Sequence, residues 1–407
     1  MAAASQSRQI AAPMRLRASI TWSISFFLFS FVFFNAQVEE KKLDELIQNT
    51  LTTFDVPGMS VGIVKDGKVV YAKGFGVSSL TTKKKMDENT LVGIASNSKG
   101  FTATALAILA DEGKLNFDDK VSKYIPEFQM NDAFVSQEVT IKDLLTHRAG
   151  LGLGQGDLMF FPEGGSLTVN DIIHNVRYLK PENSFRSNLD YNNIMFIVAG
   201  EVIQRVSGLS WAEFIEQKIM KPVGMNGSFG SYSRAKKANV ANMIDAHAPV
   251  NGKAIAVPHD WNETANAAGG IISNITDMTT WADFLMNGFT TKDGKKLVSD
   301  KQIQQLWNLQ ISTPVALKNS YDSNFGGYGL GWFLTDVKGH KQVYHTGGLI
   351  GTVTQFTLIP DMKLGIVVLT NQQSGAAFTA ITNTVKDSYL GVADRNWLKT
   401  LGDRMTK

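Results

Sequence analysis

The 407-residue sequence contains no cysteine, and this absence excludes several classes of protein. A disulfide scaffold, a thiol nucleophile, a cysteine-ligated zinc site and a lipid-modified cysteine all require the missing sulfur atom. The six histidines form neither an H-x-H nor an H-E-x-x-H pair, so we expect no metal site. The glycine-rich stretch 150–156 fits no nucleotide-binding motif and is interpreted as a flexible surface loop. We therefore expect no cofactor.

The sequence also lacks an excess of charge of either sign. It has 40 basic and 37 acidic residues, and the first 37 positions contain Arg8, Arg15 and Arg17 but no acid. The rest of the chain is therefore neutral in formal charge. Nucleic-acid binding needs a clustered basic face, so we expect no nucleic-acid partner. With 43% hydrophobic residues, the composition is that of a globular protein.

Residues 1–37 have the organisation of a secretory signal peptide. Arg15 and Arg17 precede the apolar run 20–34, and Ala36 provides a small residue for cleavage. The run is shorter than the roughly 20 residues that span a bilayer. The sequence thus predicts bacterial-type export, to the periplasm or by secretion, with cleavage near Ala36.

Two alternatives remain open for this leader. Met14 also opens a typical signal peptide, so residues 1–13 are a candidate mis-called extension. Phe34 is not small, which leaves an uncleaved anchor as the other alternative. Membrane contact is expected only through the leader, if it is uncleaved.

Hydrophobic periodicity in the remaining chain predicts an α+β fold with two lobes. Asp66-Gly67 between two apolar runs indicates a hairpin. Helices are predicted at 40–54, 97–112, 193–206, 270–287 and 376–390, and an antiparallel meander at 328–337, 341–345, 352–358 and 364–369. The simplest arrangement is an antiparallel sheet flanked by N- and C-terminal helices, with an all-helical lobe inserted between its parts.

These elements give the following domain boundaries. A signal peptide at 1–37 precedes a catalytic domain at 38–395, and 396–407 form a C-terminal tail. Within the domain, the sheet lobe comprises about 38–90 and 266–395, and the helical lobe about 91–265.

Among the serine motifs, the G-x-S-x-G around Ser60 has the wrong context, since a helix precedes it and a strand follows. Ser96-Asn-Ser-Lys99 is an S-x-x-K at the start of an apolar helix, where positions i and i+3 share a face. Ser233-Arg-Ala-Lys236 also matches but lies in a polar stretch. A simple helix-capping role for Ser96 is the structural alternative.

Two further motifs follow in the chain. Tyr191-Asn-Asn193 comes directly before a predicted helix, and His345-Thr346-Gly347 ends a predicted strand. Each has an ordinary structural explanation, as a helix cap and as a strand end. The occurrence of all three motifs in this order, at these positions, is far more specific than any one of them.

This constellation resembles the serine beta-lactamase and penicillin-binding-protein superfamily, in its class C, esterase and D-aminopeptidase branch. The resemblance implies a beta-lactamase/transpeptidase-like fold. Its implied catalytic residues are Ser96 as nucleophile, with Lys99 and Tyr191 moving its proton and Tyr191 acting as base or as part of a shared network. The implied oxyanion hole is formed by the backbone N–H groups of Ser96 and Gly348. Asn193 is expected to hold a substrate amide or carbonyl, and His345, Thr346 and Gly347 to line the substrate edge.

One departure from the family pattern concerns His345. Most beta-lactamases have lysine there, which binds the substrate carboxylate, whereas histidine is only partly charged near neutral pH. We therefore expect a serine hydrolase acting on esters, amides or D-amino-acid peptides, with cell-wall-derived peptides as candidates, more than an efficient beta-lactamase. The alternatives are a true beta-lactamase and a catalytically silent binding or scaffold protein on the same fold.

Overall fold

A computed structural model describes residues 39–162 and 164–405 of the chain. The predicted signal peptide at 1–37 lies outside these residues. Within the described part, no single helix is long and apolar enough to cross a membrane. One bent pair, Asn193–Ser207 with Trp211–Val223, passes the same test of length and composition.

The sheet is antiparallel throughout and has eight strands in the order β2-β1-β12-β11-β10-β9-β8-β7. Two small two-stranded sheets pair β3 with β6 and β4 with β5. The strands are β1 Gly58–Lys65, β2 Lys68–Gly76, β3 Val92–Gly93, β4 Ala246–Val250, β5 Lys253–Val257, β6 Ile272–Ser273, β7 Ile311–Ser312, β8 Gly326–Tyr328, β9 Phe333–Val337, β10 His340–Leu349, β11 Thr352–Ile359 and β12 Leu364–Thr370.

Helices precede, interrupt and follow the strands in the chain. They are α1 Glu40–Thr53, α2 Ser98–Asp111, α3 Ala133–Glu138, α4 Ile141–Leu145, α5 Val169–Asn175, α6 Asn193–Ser207, α7 Trp211–Ile215, α8 Lys221–Val223, α9 Tyr232–Lys237, α10 Asn266–Gly269, α11 Ile275–Met286, α12 Asp300–Leu306, α13 Gly375–Tyr389 and α14 Trp397–Met405. A short π-helical segment, Glu216–Met220, joins α7 to α8.

The sheet is covered on both faces. Ile366 and Val368 of β12 belong to a core shared with α1 and α13, whereas Val367 and Leu369 belong to the core shared with α2, α6 and α11. A strand buried on both faces needs apolar side chains at successive positions, and every residue of β12 is buried. These packed layers confirm the predicted α+β class and its flanking terminal helices.

The helices α2 and α6 form the centre of the helical region. Both have a run of buried residues on all sides, which is typical of helices that lie wholly inside a protein. Trp211 of α7 donates a buried hydrogen bond of 3.0 Å to the hydroxyl of Thr102 on α2. The starts of α2 and α6, where two of the sequence motifs lie, meet through a hydrogen bond of 2.8 Å from Lys99 Nζ to Asn193 Oδ1.

Two parts of the fold differ from the sequence-based expectation. The stretch 328–337 is two strands, β8 and β9, because Gly331 has a φ of 78° and the chain turns between Gly329 and Trp332. The region expected to contain only helices and loops also holds the hairpin of β4 and β5. The hairpin predicted at Asp66-Gly67 is present, and both residues have the positive φ that a two-residue turn requires.

Candidate active site

Ser96 lies in a 3₁₀ turn, Ala95–Asn97, that leads directly into α2. Ala95 has a φ of 49°, a left-handed conformation that costs a non-glycine residue about 1–2 kcal/mol. Neighbouring hydrogen bonds hold the turn in place, since the Ile94 carbonyl accepts from Thr354 Oγ1 at 3.1 Å and from Asn97 Nδ2 at 3.2 Å. Strain of this kind is characteristic of functional sites.

Lys99 is fully buried one turn after Ser96. Its Nζ lies 3.1 Å from Ser96 Oγ and donates to Asn193 Oδ1 at 2.8 Å and to the Ala268 carbonyl at 2.9 Å. Burial lowers the pKa of Lys99 to about 7, and the carboxylate of Asp157 opposes this effect. A large fraction of the amine is therefore unprotonated at neutral pH and able to accept a proton from Ser96.

Tyr191 packs over the same lysine, with Lys99 Nζ 4.8 Å from its ring centroid. Burial raises the pKa of Tyr191, and a hydrogen bond with Ser96 only partly opposes this. The His147 ring packs against the Tyr191 ring at a tilt of 32°, with centroids 4.1 Å apart, and His147 Nδ1 accepts a hydrogen bond of 3.1 Å from the Asn192 backbone. The phenol keeps its proton at neutral pH, so Lys99 is the better base and Tyr191 suits a proton relay.

The partial positive charge that the sequence predicts for His345 near neutral pH is absent. The side chain is 1% exposed, and burial together with the nearby Lys99 lowers its pKa to about 3. Nδ1 lies 2.6 Å from the Thr346 carbonyl, and Nε2 lies 2.9 Å from the Tyr328 hydroxyl. A neutral ring that donates through Nδ1 and accepts at Nε2 satisfies both contacts. His345 therefore offers a substrate carboxylate no positive charge.

The end of β10 passes close to the Ser96 turn. A Cβ on Gly347 would lie 2.2 Å from the Ile94 carbonyl oxygen, so only glycine allows this approach. Gly348 lines a cavity of about 410 Å³ together with Ser96, and a Cβ there would meet nothing within 4 Å. Thr346, opposite Gln355 in the ladder, keeps β10 paired at this point.

Asn193 is the first residue of α6 and lines the same cavity. Its Oδ1 accepts from Lys99, and its Nδ2 donates to Asp157 Oδ2 at 3.1 Å. The side chain expected to hold a substrate amide or carbonyl thus bridges two enzyme groups. The structure brings Ser96, Lys99, Tyr191, Asn193 and Gly348 to one place.

Comparison with known proteins identifies the family of this chain. Residues 43–390 match the family model described as Beta-lactamase. The chain belongs to the beta-lactamase family. It is therefore a member of a family of serine hydrolases, as the order of its motifs predicted.

Relatives of this beta-lactamase-family chain include an unguisins hydrolase of Aspergillus campestris, 28% identical over 86% of this chain and 65% of the relative. Protein flp of Staphylococcus aureus is 29% identical over 82% of this chain and 64% of its own length. The chain thus spans slightly less than two thirds of these curated relatives.

Solved structures agree with this assignment. The octameric penicillin-binding protein homologue from Pyrococcus abyssi has a TM-score of 0.73 and 28% identity, over 86% of this chain and 77% of its own. A structure described as SurE has a TM-score of 0.68 and 20% identity, over 87% and 77% of the two chains, and supports the fold.

Two residues of this beta-lactamase-family site, Asp157 and Trp261, were missed by the sequence interpretation. Asp157 follows the glycine-rich loop, which is tied to the site because Asn192 Nδ2 donates to the carbonyls of Gly152 and Gln155 at 3.0 and 2.9 Å. Trp261 lines the cavity from the segment before α10. Only the position of Asp157 after a glycine-rich turn hinted at a role. Within the described residues, no group of three His, Asp or Glu side chains could hold a metal ion.

Proposed function

We propose that this protein is an exported serine hydrolase that forms an acyl-enzyme on Ser96. Its substrates are esters, amides or D-amino-acid peptides. The observation that carries the proposal is the 3.1 Å contact between Ser96 Oγ and Lys99 Nζ, an amine whose pKa is lowered to about 7. Export rests on the predicted leader alone.

The proposed reaction uses groups already in contact. Lys99 Nζ takes the proton of Ser96 as Oγ attacks the substrate carbonyl carbon. The backbone N–H groups of Ser96 and Gly348 stabilise the developing oxyanion, an effect that contributes about 3–4 kcal/mol per donor in a well-studied protease. Collapse of the tetrahedral intermediate releases the alcohol or amine, protonated through Tyr191. Water then cleaves the acyl-Ser96 ester by the reverse proton path.

Esters and peptides are favoured over beta-lactams as substrates. A typical beta-lactam carries a carboxylate, whereas His345 is neutral and the cavity lining in the described residues includes no lysine or arginine. A relative named as an unguisins hydrolase is consistent with hydrolysis, and the substrate of this chain is a separate question.

A fluorophosphonate probe tests the proposed nucleophile. Labelling and turnover of p-nitrophenyl butyrate are both expected to disappear in Ser96→Ala, because no covalent intermediate can form. Ser60→Ala, on β1, and Ser233→Ala, in the second S-x-x-K, are matched controls and should retain both. Wild-type labelling of Ser96→Ala would exclude Ser96 as the nucleophile, and absence of labelling in the wild type would support the scaffold alternative.

A further inference from the structure

The active-site cavity has an acidic lining. Asp157, Asp260 and Glu263 contribute carboxyl groups to it, and none of the lining residues in the described part of the chain is lysine or arginine. Lys99 lies behind Ser96, and its pKa of about 7 leaves it only partly charged at neutral pH. The cavity therefore favours a cation over an anion.

One carboxyl oxygen of Asp157 is buried without a partner. Asp157 Oδ2 accepts from Asn193 Nδ2 at 3.1 Å, whereas Oδ1 is buried and has no hydrogen-bond partner among the described residues. A buried acceptor without a donor is unfavourable, and a bound donor removes this cost. Through Asn193 and Lys99, the same carboxyl is connected to Ser96, and Asp157 lines the same cavity as Ser96, so a ligand on this carboxylate would share the cavity with the reacting carbonyl.

Aromatic rings line the same cavity. Phe160 and Phe161 line the cavity beside Asp157, and Tyr232 stacks on Trp261 at 4.9 Å along its wall. Aromatic faces attract organic cations and also accommodate an apolar body. By contrast, Glu263 already accepts from the Ser233 backbone at 2.9 Å and from Asn266 at 3.0 Å.

We propose that Asp157 is a specificity residue and that its carboxylate binds a protonated amine on the acyl part of the substrate. The substrates would then be amine-bearing esters or amides. This inference rests on the proposed serine-hydrolase function and narrows its substrate class. Aliphatic or aromatic groups next to the amine would contact the aromatic wall.

Three matched ligands separate charge from shape: benzylamine, which is protonated at neutral pH, benzyl alcohol and benzoate. Their binding is measured by calorimetry and by protection of Ser96 from a fluorophosphonate probe. Benzylamine should bind about tenfold or more tightly than benzyl alcohol, as a charge-assisted contact implies, and benzoate should bind most weakly. Equal binding of benzylamine and benzyl alcohol to the wild type would overturn the proposal without any variant.

Two variants locate the contact. Asp157→Asn keeps the shape and should remove most of the preference for benzylamine over benzyl alcohol. Glu263→Gln removes one charge from the same cavity and should leave most of that preference. If Asp157→Asn and Glu263→Gln lose equal parts of the preference for benzylamine, the overall electrostatic potential of the cavity causes it. That result would overturn the role of Asp157.

The outcomes also separate this inference from the proposed function. If calorimetry shows amine binding that depends on Asp157 but the probe never labels Ser96, the hydrolase proposal fails and the amine site stands. If the probe labels Ser96 but benzylamine shows no preference, the amine site fails and the hydrolase stands. A slower labelling of Asp157→Asn with an unchanged ligand preference would make Asp157 a positioning residue for Lys99, and would overturn the proposal.

Discussion

Lys99 Nζ donates a hydrogen bond of 2.8 Å to Oδ1 of Asn193, which lies 94 positions later in the chain. The acceptor is an uncharged amide, so it positions the amine without stabilising its protonated form as strongly as a carboxylate would. Burial is then free to lower the pKa of Lys99 to about 7. The identity of residue 193 therefore controls the base as well as its position.

Asn193→Asp should move the pH dependence of the reaction. A carboxylate next to Lys99 favours the ammonium form and should raise its pKa by about 1–3 units. The acid limb of kcat/KM for a neutral ester should shift upward by a similar amount. Asn262→Asp adds a charge to the same cavity lining without a contact to Lys99, and should shift the acid limb much less. If the acid limb of kcat/KM is unchanged in Asn193→Asp, Lys99 is not the base that titrates.

The buried lysine should also make stability depend on pH. Lys99 has a folded-state pKa of about 7 and an ordinary value of 10.5 in the unfolded chain, so the unfolded state binds more protons between these values. The free energy of unfolding of the wild type, relative to Lys99→Met, should therefore increase as pH rises through this window, by at most about 1.4 kcal/mol per unit.

Urea unfolding at about pH 7.5 and 9 measures this difference directly. Below about pH 7 both states hold the proton, so the difference should be flat there. A difference that stays flat between the two pH values would show that Lys99 keeps its ordinary pKa of 10.5, or a higher one, in the folded protein.

The proton path was accessible from the sequence because it is local. Ser96 and Lys99 are three residues apart, and even with Ser96 in a 3₁₀ turn before α2 the two side chains meet. The order of the motifs then indicated the family, and the periodicity of the strands and terminal helices indicated the α+β fold.

The rest of the site depends on contacts between distant segments. The alternation of β10 does not reveal that Tyr328 of β8 would cover His345 and leave it neutral. Asp157 gave little signal because its partner Asn193 is 36 positions away and the glycine-rich stretch before it was interpreted as a flexible surface loop. Burial, which lowers the pKa values of Lys99 and His345, is a property of the packed molecule.

His345 should not titrate between about pH 5.5 and 8, because burial lowers its pKa to about 3. Its ring resonances in NMR spectra, assigned by comparison with His345→Gln, should stay constant and show the Nδ1–H form. Movement of these resonances with a midpoint near the ordinary pKa of 6.5 would contradict the burial of the ring.

His345→Lys would place a second amine near Lys99 and should lower the melting temperature.

Gly347 and Gly348 are neighbours with opposite tolerance to a side chain. In Gly347→Ala the new Cβ would lie 2.2 Å from the Ile94 carbonyl and 3.0 Å from the Ala95 side chain. Overpacking of this kind costs about 1–3 kcal/mol and should displace β10 from Ser96, so both the melting temperature and the labelling rate should fall. Gly348→Ala meets nothing within 4 Å and should melt near the wild-type temperature. Equal melting temperatures for the two variants would contradict the close approach of β10.

The final prediction concerns the charge of the acyl group. p-Nitrophenyl butyrate and the mono-p-nitrophenyl ester of succinate have acyl chains of similar length, but only the second carries a carboxylate. That carboxylate would enter a cavity lined by Asp157 and Glu263, where hydrogen bonds from Asn266 and Ser233 outweigh burial and lower the pKa of Glu263. Repulsion of about 1.4 kcal/mol corresponds to a tenfold effect.

We therefore expect kcat/KM, normalised to the uncatalysed rate, to be about tenfold or more higher for the butyrate ester. Nitrocefin, which also carries a carboxylate, should react slowly for the same reason. Added salt should narrow the gap between the two esters, because it screens the part of the repulsion that acts through solvent. A preference for the succinate ester would require a cation that the neutral His345 and half-charged Lys99 do not supply, and it would favour the beta-lactamase alternative.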